Sequence, residues 1–177
     1  MFFSTLTVLT DGVWGNLCFA GGFRLEIRFA TLEDIEQICC LYNEFFSYNE
    51  GLQPEYCAKV KESGEYPKSI IASENADIII AVENNFIVGF IHIREAQTPP
   101  FASIVPHKYA EIIDCIVTSS YRGKGTGAKL IDAAKEWGKA RTLDYIELFV
   151  LSNAKEAFHF YEQNDFTTVS HTMRCPL

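Results

Sequence analysis

The stretch Val117-Thr118-Ser119-Ser120-Tyr121-Arg122-Gly123-Lys124-Gly125-Thr126-Gly127-Ala128 joins a β-rich run to a helical one and holds three glycines in alternation. Such a turn brings unpaired backbone N–H groups to a helix N-terminus, where the dipole and those donors favour an anion such as phosphate. Two phosphate loops can be tested against it. A P-loop needs Gly-x-x-x-x-Gly-Lys-Ser/Thr, but the lysine at the helix start, Lys129, stands between Ala128 and Leu130. A dinucleotide fingerprint needs Gly-x-Gly-x-x-Gly, and here the third glycine comes one residue early with no acidic-ended βαβ unit after it. Neither fits, yet Arg122 and Lys124 raise the case for an anionic ligand over a bare structural turn.

Working outward, Ala110 to Val117 reads as a strand before the turn, and Leu130, Ala134 and Trp137 mark the inner face of a helix from about Gly125 to Arg141. Tyr145 to Val150 reads as the next strand, Asn153 opens a helix reaching about Gln163, and Phe166 to Met173 reads as a closing strand. Upstream, Ile78 to Val82 and Phe86 to Ile93 flank Glu83-Asn84-Asn85 as an antiparallel hairpin. Leu25 to Phe29 alternates as a first strand, and Thr31 can cap a helix in which Ile35, Ile38, Tyr42 and Phe45 share a face. The polar stretch from Gly51 to Ser73, with Pro54 and Pro67, holds a second short helix. Helices alternating with strands around a central hairpin predict an α/β (α+β) fold with a sheet of mixed direction, and residues 25–177 carry no internal boundary.

Residues 1–24 differ, with only Asp11 and Arg24 charged. A signal peptide fails because no Lys or Arg precedes the apolar stretch and Asp11-Gly12 interrupts it. The segment reads either as a β-hairpin turning at Asp11-Gly12 or as an appendage to the domain at 25–177. The whole chain has 177 residues, 15 Lys+Arg, 23 Asp+Glu and net charge −8. That balance speaks against nucleic acid, whose phosphates require a basic surface, and mildly favours a cationic partner. Six cysteines without a Cys-x-x-Cys pair read as reduced thiols in a cytoplasmic protein. No apolar run reaches the ~18 residues of a membrane span, and the four histidines form no metal-ligand spacing.

Arg122-Gly123-Lys124-Gly125-Thr126-Gly127 resembles the [Arg/Gln]-x-x-Gly-x-[Gly/Ala] signature of the GCN5-related N-acetyltransferase (GNAT) superfamily. Ile27-Arg28-Phe29-Ala30-Thr31-Leu32-Glu33-Asp34 is similar to that family's first strand and helix start, and Asn153 to Phe166 to its Asn-to-Tyr segment. The likeness covers about residues 25–174. It departs at Asp165, where glycine is usual before Phe166, a position read as a helix C-cap. It implies a mixed, mostly antiparallel sheet flanked by helices, with acetyl-CoA as cosubstrate and no metal. It also implies that Arg122 through Gly127 cradle the pyrophosphate, that backbone groups at Ile116 and Val117 meet the pantetheine arm, and that Val117 N–H polarises the acetyl carbonyl.

Acetyl transfer from a thioester to an amine needs a neutral amine and a proton for the departing thiolate. Glu111 and Asp114 precede the turn. The run Ala110-Glu111-Ile112-Ile113-Asp114-Cys115 resembles the strand whose glutamate is the general base in histone-acetylating members, so Glu111 is the first candidate and Asp114 the second. Strict alternation sets the two on opposite faces unless a bulge intervenes. Tyr161 matches the family's thiolate-protonating tyrosine, though an amphipathic-helix residue packing alongside Phe158 would read the same. Asn153 reads as an N-cap with Glu156 and, by resemblance, as a pantetheine contact. The expected acceptor is a small-molecule amine or basic peptide, which Glu44, Glu50, Glu55, Glu62 and Glu65 would suit. A homodimer is left open. A non-catalytic acyl-CoA sensor on the same fold is the alternative.

Overall fold

Asn84 and Asn85 set the centre of the sheet. Both have positive φ, +52° and +67°, which matches the twist of a two-residue hairpin and which asparagine tolerates better than most residues. They join β2 (Ala76–Glu83) to β3 (Phe86–Gln97). In this computed structural model, which describes residues 25–175, β1 (Glu26–Phe29) lies antiparallel on β2 and β4 (Lys108–Val117) antiparallel on β3. The chain then crosses through α3 (Thr126–Ala140) so that β5 (Ile146–Leu148) runs parallel to β4. The sheet order is β1-β2-β3-β4-β5. The hairpin or appendage expected over residues 1–24 lies outside the described residues.

Both sheet faces are covered, which is why its central strands are apolar almost throughout. Ile78, Ile80, Phe90 and Ile116 face α1 (Ile35–Leu52) and α2 (Glu65–Ile71), packing on Ile38, Leu41, Tyr42 and Ile70. On the other face Ile79, Ile91, Ile93 and Ile112 meet Leu130, Ile131, Ala134 and Trp137 of α3. Each fully buried side chain of this kind contributes roughly 1.5–3 kcal/mol relative to exposure. Trp137 is wholly buried, yet its Nε1–H finds Asp77 Oδ2 at 2.7 Å, so its burial leaves no donor unpaired.

A short 3-10 turn, Leu32–Asp34, leads into α1. Asp34 Oδ2 accepts the Thr31 backbone N–H at 2.8 Å, and the same carboxylate takes a two-pronged ion pair from Arg28 at 2.7 and 2.8 Å. Arg28 holds the Asp34 carboxyl below the usual aspartate range, and the pair locks the first strand to the first helix.

Three expectations change at the C-terminal end. β5 is shorter than the predicted Tyr145–Val150, because only Ile146–Leu148 pair with β4. The helix expected from Asn153 is α4 (Lys155–Glu162), whose N-cap is Ala154. Asn153 instead sends Nδ2 to Leu52 O at 2.6 Å, closing off the end of α1. The closing strand predicted over Phe166–Met173 does not form. β-branched residues such as Thr167, Thr168, Val169 and Thr172 make a strand only where an edge offers a ladder, and this segment runs exposed, Val169 at 80% and Met173 at 92%. Phe166 is drawn into the core with its N–H tied back to Tyr161 O. Asp165 precedes it with φ +69°, which accounts for glycine being usual there. No helix among the described residues is long and apolar enough to cross a membrane.

Candidate active site

The site begins where two parallel strands part. β4 and β5 pair through Ala110↔Ile146, Glu111↔Glu147 and Ile112↔Leu148, after which β4 runs on to Val117 against β3 alone. A gap therefore opens beside residues 113–117. Gly89 on β3 supports this stretch from behind, for a Cβ there would stand 2.7 Å from Ile116 O. Beyond β5 lies a cleft of about 1170 Å³, lined in part by Leu148, Phe149, Tyr161 and Phe166.

The glycine turn closes one end of the gap. Gly123 and Gly125 have φ +72° and +80°, Gly125 is the N-cap of α3, and a Cβ on either would meet nothing within 4 Å. Open space beside positive-φ glycines at a helix N-terminus is a cradle that backbone N–H groups can turn toward an anion. Arg122 Nε–H donates to Val117 O at 2.9 Å and pins the turn to the strand end. From α1, Glu44 accepts Thr118 Oγ1–H at 3.0 Å and the Ser119 N–H at 3.3 Å. Gly127 has a different reason to be glycine. A Cβ there would lie 3.0 Å from the Phe160 ring, so its absence lets α4 pack on α3.

On the α1 and α2 face a β-bulge rearranges the carboxylates. His92 pairs with Asp114 and Ile93 with Ile112, which leaves Ile113 as the extra residue. Glu111, Asp114 and Ile116 consequently share one face, correcting the expectation from strict alternation. Arg94 grips Glu111 Oε2 through Nε at 2.8 Å and Nη2 at 2.6 Å, at a partly exposed position. Asp114 is more enclosed, its side chain 12% exposed. Its Oδ2 accepts Tyr42 Oη–H at 3.1 Å and lies 3.3 Å from His92 Nδ1. Tyr66 Oη stands 3.2 Å from the same His92 nitrogen. Burial, then the Asp114 charge, push the Tyr42 phenol far up and that of Tyr66 to about 12.

The opposite face carries Tyr161. It packs with Phe160, Phe166 and Cys115 against the sheet, while Phe158 is 41% exposed. Its hydroxyl lies beside the Cys115 thiol. Desolvation, with Cys115 beside it, holds the Tyr161 phenol well above its ordinary value, and burial likewise pushes Cys115 up to about 11. Both groups keep their protons through the neutral range.

This architecture has known counterparts. The sequence model of the acetyltransferase (GNAT) family matches residues 35–166. The chain belongs to the acetyltransferase (GNAT) family. An uncharacterized N-acetyltransferase of Archaeoglobus fulgidus is 27% identical over 141 residues, 80% of this chain and 92% of that one. The BH1408 protein of Bacillus halodurans, crystallised as a tetramutant, superposes with TM-score 0.81 at 24% identity, covering 85% of this chain and 99% of that one. An aminoglycoside N-acetyltransferase, AAC(6')-Iy, solved in complex with CoA, superposes with TM-score 0.70 at 14% identity over 90% and 99%. As a GNAT protein the chain is an N-acetyltransferase.

The sequence of this acetyltransferase singles out the turn and both carboxylates as candidates. It does not single out Tyr42, Tyr66, His92 and Arg94 as their partners. His92 and Arg94 carried a signal: two polar residues at alternate positions, 92 and 94, within or just past the predicted strand, which puts both on one face. Tyr42 and Tyr66 come from helices whose packing no local pattern reveals.

Proposed function

We propose that this acetyltransferase moves an acetyl group from acetyl-CoA to a primary amine by direct attack within a ternary complex. One observation carries the reading: the gap beside residues 113–117 has a phosphate-ready glycine turn at its end, a protonated phenol on one face and two carboxylates on the other. Arg122, Gly123, Lys124, Gly125, Thr126 and Gly127 would hold the pyrophosphate, backbone groups of Ile116 and Val117 the pantetheine arm, and Asn153 would add a polar contact. Acetyl-CoA supplies the activated thioester. Val117 N–H polarises its carbonyl oxygen, an electrostatic role that needs no particular side chain. Glu111 takes a proton from the incoming ammonium, directly or through water, since an amine of ordinary pKa near 10 arrives charged. Tyr161 gives its proton to the thiolate as the acetyl group departs.

The acceptor is a small-molecule amine or the amino group of a basic peptide. The net charge of −8 and the carboxylates of Glu44, Glu62, Glu111 and Asp114 around the α1 and α2 face support a cationic partner. The deciding experiment is thiol release on mixing the protein with acetyl-CoA and a panel of spermidine, kanamycin and a lysine-rich peptide, beside calorimetric titration of acetyl-CoA alone. Turnover is expected with one amine class, and Glu111→Gln and Tyr161→Phe should each lower kcat on the order of 10²-fold with acetyl-CoA affinity kept. Tight binding without turnover would replace this reading with a sensor, and absence of both would leave the glycine turn without a ligand.

A further inference from the structure

An ammonium acceptor must lose more than the one proton that Glu111 removes. R–NH3+ becomes R–NH–COCH3, so two N–H bonds break: one before attack, and one after it, when the nitrogen has bonded to the carbonyl carbon and become cationic again. Position along β4 separates the candidates for the second proton. At about 3.3 Å of rise per residue, Asp114 lies roughly 10 Å of strand from Val117, whereas Glu111 lies nearly twice as far. Asp114 is therefore the carboxylate nearer the reacting carbon, on the reading that Val117 N–H holds the carbonyl oxygen.

The surroundings of Asp114 are those of a group that passes a proton on. Among the described residues its Oδ2 accepts from Tyr42 of α1 and lies 3.3 Å from His92 Nδ1 of β3. His92 is 5% exposed, and its Nδ1 has two neighbours of opposite kind: Asp114, which can only accept, and Tyr66 Oη–H, which can donate. A neutral His92 with a bare Nδ1 accepts from Tyr66. A protonated one donates to Asp114. Nδ1 thus has a partner in either charge state without any side chain moving, and Tyr66, 40% exposed, connects the buried imidazole to water. The other charged groups around the cluster are Glu62, preceding α2, and Arg94 with Glu111 on the sheet.

We propose that Asp114 and His92 form the proton exit of this acetyltransferase, with Asp114 taking the second amine proton, His92 receiving it at Nδ1, and Tyr66 passing it to solvent. The inference rests on the acetyl-transfer reading above. The balance closes: Glu111 and the Asp114–His92 pair each release one proton to water, Tyr161 recovers from water the one it gave the thiolate, and the net reaction frees one proton. Asp114 is catalytic in this scheme, and His92, which acts through it, is a positioning and relay residue.

The test is the pH dependence of kcat, with acetyl-CoA and the best amine of the panel, for the wild type, His92→Gln, Asp114→Asn, Tyr66→Phe and Glu111→Gln. His92→Gln keeps the reach and a donor but cannot carry a proton, and it should lower kcat about 10- to 100-fold at every pH. The fall in kcat toward low pH that a proton-accepting imidazole imposes should vanish with it, while acetyl-CoA affinity stays within twofold. Tyr66→Phe, at an exposed position that threatens the fold least, should lose severalfold in kcat with Tm unchanged. Glu111→Gln should behave otherwise, its rate climbing about tenfold per pH unit toward the amine's own pKa near 10 as free amine replaces ammonium. If His92→Gln and Tyr66→Phe keep kcat within threefold and the same acid limb while Glu111→Gln loses activity, the exit is refuted and the acetyl-transfer reading stands. A wild type that binds acetyl-CoA but turns over none of the amines refutes both.

Discussion

Alanine at Gly125 separates the cost of the turn's shape from its use as an anion cradle. Gly125 has φ +80° and its Cβ would point into open space, so the substitution meets no clash and bears only the left-handed backbone penalty, about 1–2 kcal/mol. In a chain of this size each kcal/mol moves Tm by roughly 2–4 °C, which predicts a fall of about 2–8 °C. Binding should suffer beyond that. The same methyl group would occupy the open side of the cradle, and relaxing the strain would re-aim N–H donors at the start of α3. Losing one charge-assisted bond of about 1.5–3 kcal/mol raises the acetyl-CoA Kd roughly 10- to 100-fold. Gly51→Ala is the control, since Gly51 lies near the end of α1 with nothing within 4 Å of an added Cβ and should leave Kd alone while slightly raising Tm. Paired melting curves and calorimetric titrations decide it. A Gly125→Ala protein that melts lower yet binds acetyl-CoA within twofold of wild type would show that the turn does not hold the phosphates.

Asp34→Asn should cost about 2 kcal/mol, some 4–8 °C in Tm, by cutting the bond that ties Arg28 to the start of α1. Because the folded-state carboxyl sits below its ordinary value, the wild-type contribution is complete above about pH 4 and is lost as pH falls through the folded value. Acid titrations of stability for the two proteins should accordingly converge at the lowest pH and diverge above it. Asn85→Gly should raise Tm slightly in melting curves, because glycine holds the +67° φ of the hairpin at less steric cost. Gly89→Ala should fail differently: a Cβ 2.7 Å from the Ile116 carbonyl oxygen forces β3 off β4, and amide exchange across residues 113–117 should speed up alongside a marked loss of Tm.

The elements whose signal is local were legible in the sequence. Asn84-Asn85 announces the hairpin, the inner-face residues Leu130, Ala134 and Trp137 announce α3, and the three spaced glycines announce the turn, each through backbone preference or one face's burial. The C-terminal end was not, because its outcome depends on partners. The β-branched residues of Phe166–Met173 favour a strand, but β5 offers only Ile146–Leu148 in pairing and the tail stays outside the sheet. Asn153 has the chemistry of a helix cap, yet Leu52 O, far along the chain, wins its side chain. In both cases a contact distant in sequence outweighed a sound local preference.

The bulge at Ile113 is the case with most consequence for the site. Ile112 and Ile113 are equally apolar, so nothing in their composition says that one of them drops out of the pairing register. Their neighbours say it energetically. In strict alternation Asp114 would share a face with Ile112, against Ile91 and Ile93 beneath α3, where an ionised carboxylate without a partner costs several kcal/mol. One extra residue moves Asp114 to the face where Tyr42 supplies a donor and His92 Nδ1 lies 3.3 Å away, and the same step turns Cys115 to the face of Tyr161. A single local irregularity thus sets the candidate proton acceptors Glu111 and Asp114 on one side of β4 and the candidate donor Tyr161 on the other. That division is what transfer between an amine and a thioester lying in the gap would require, since one nitrogen must lose protons while one sulfur gains one.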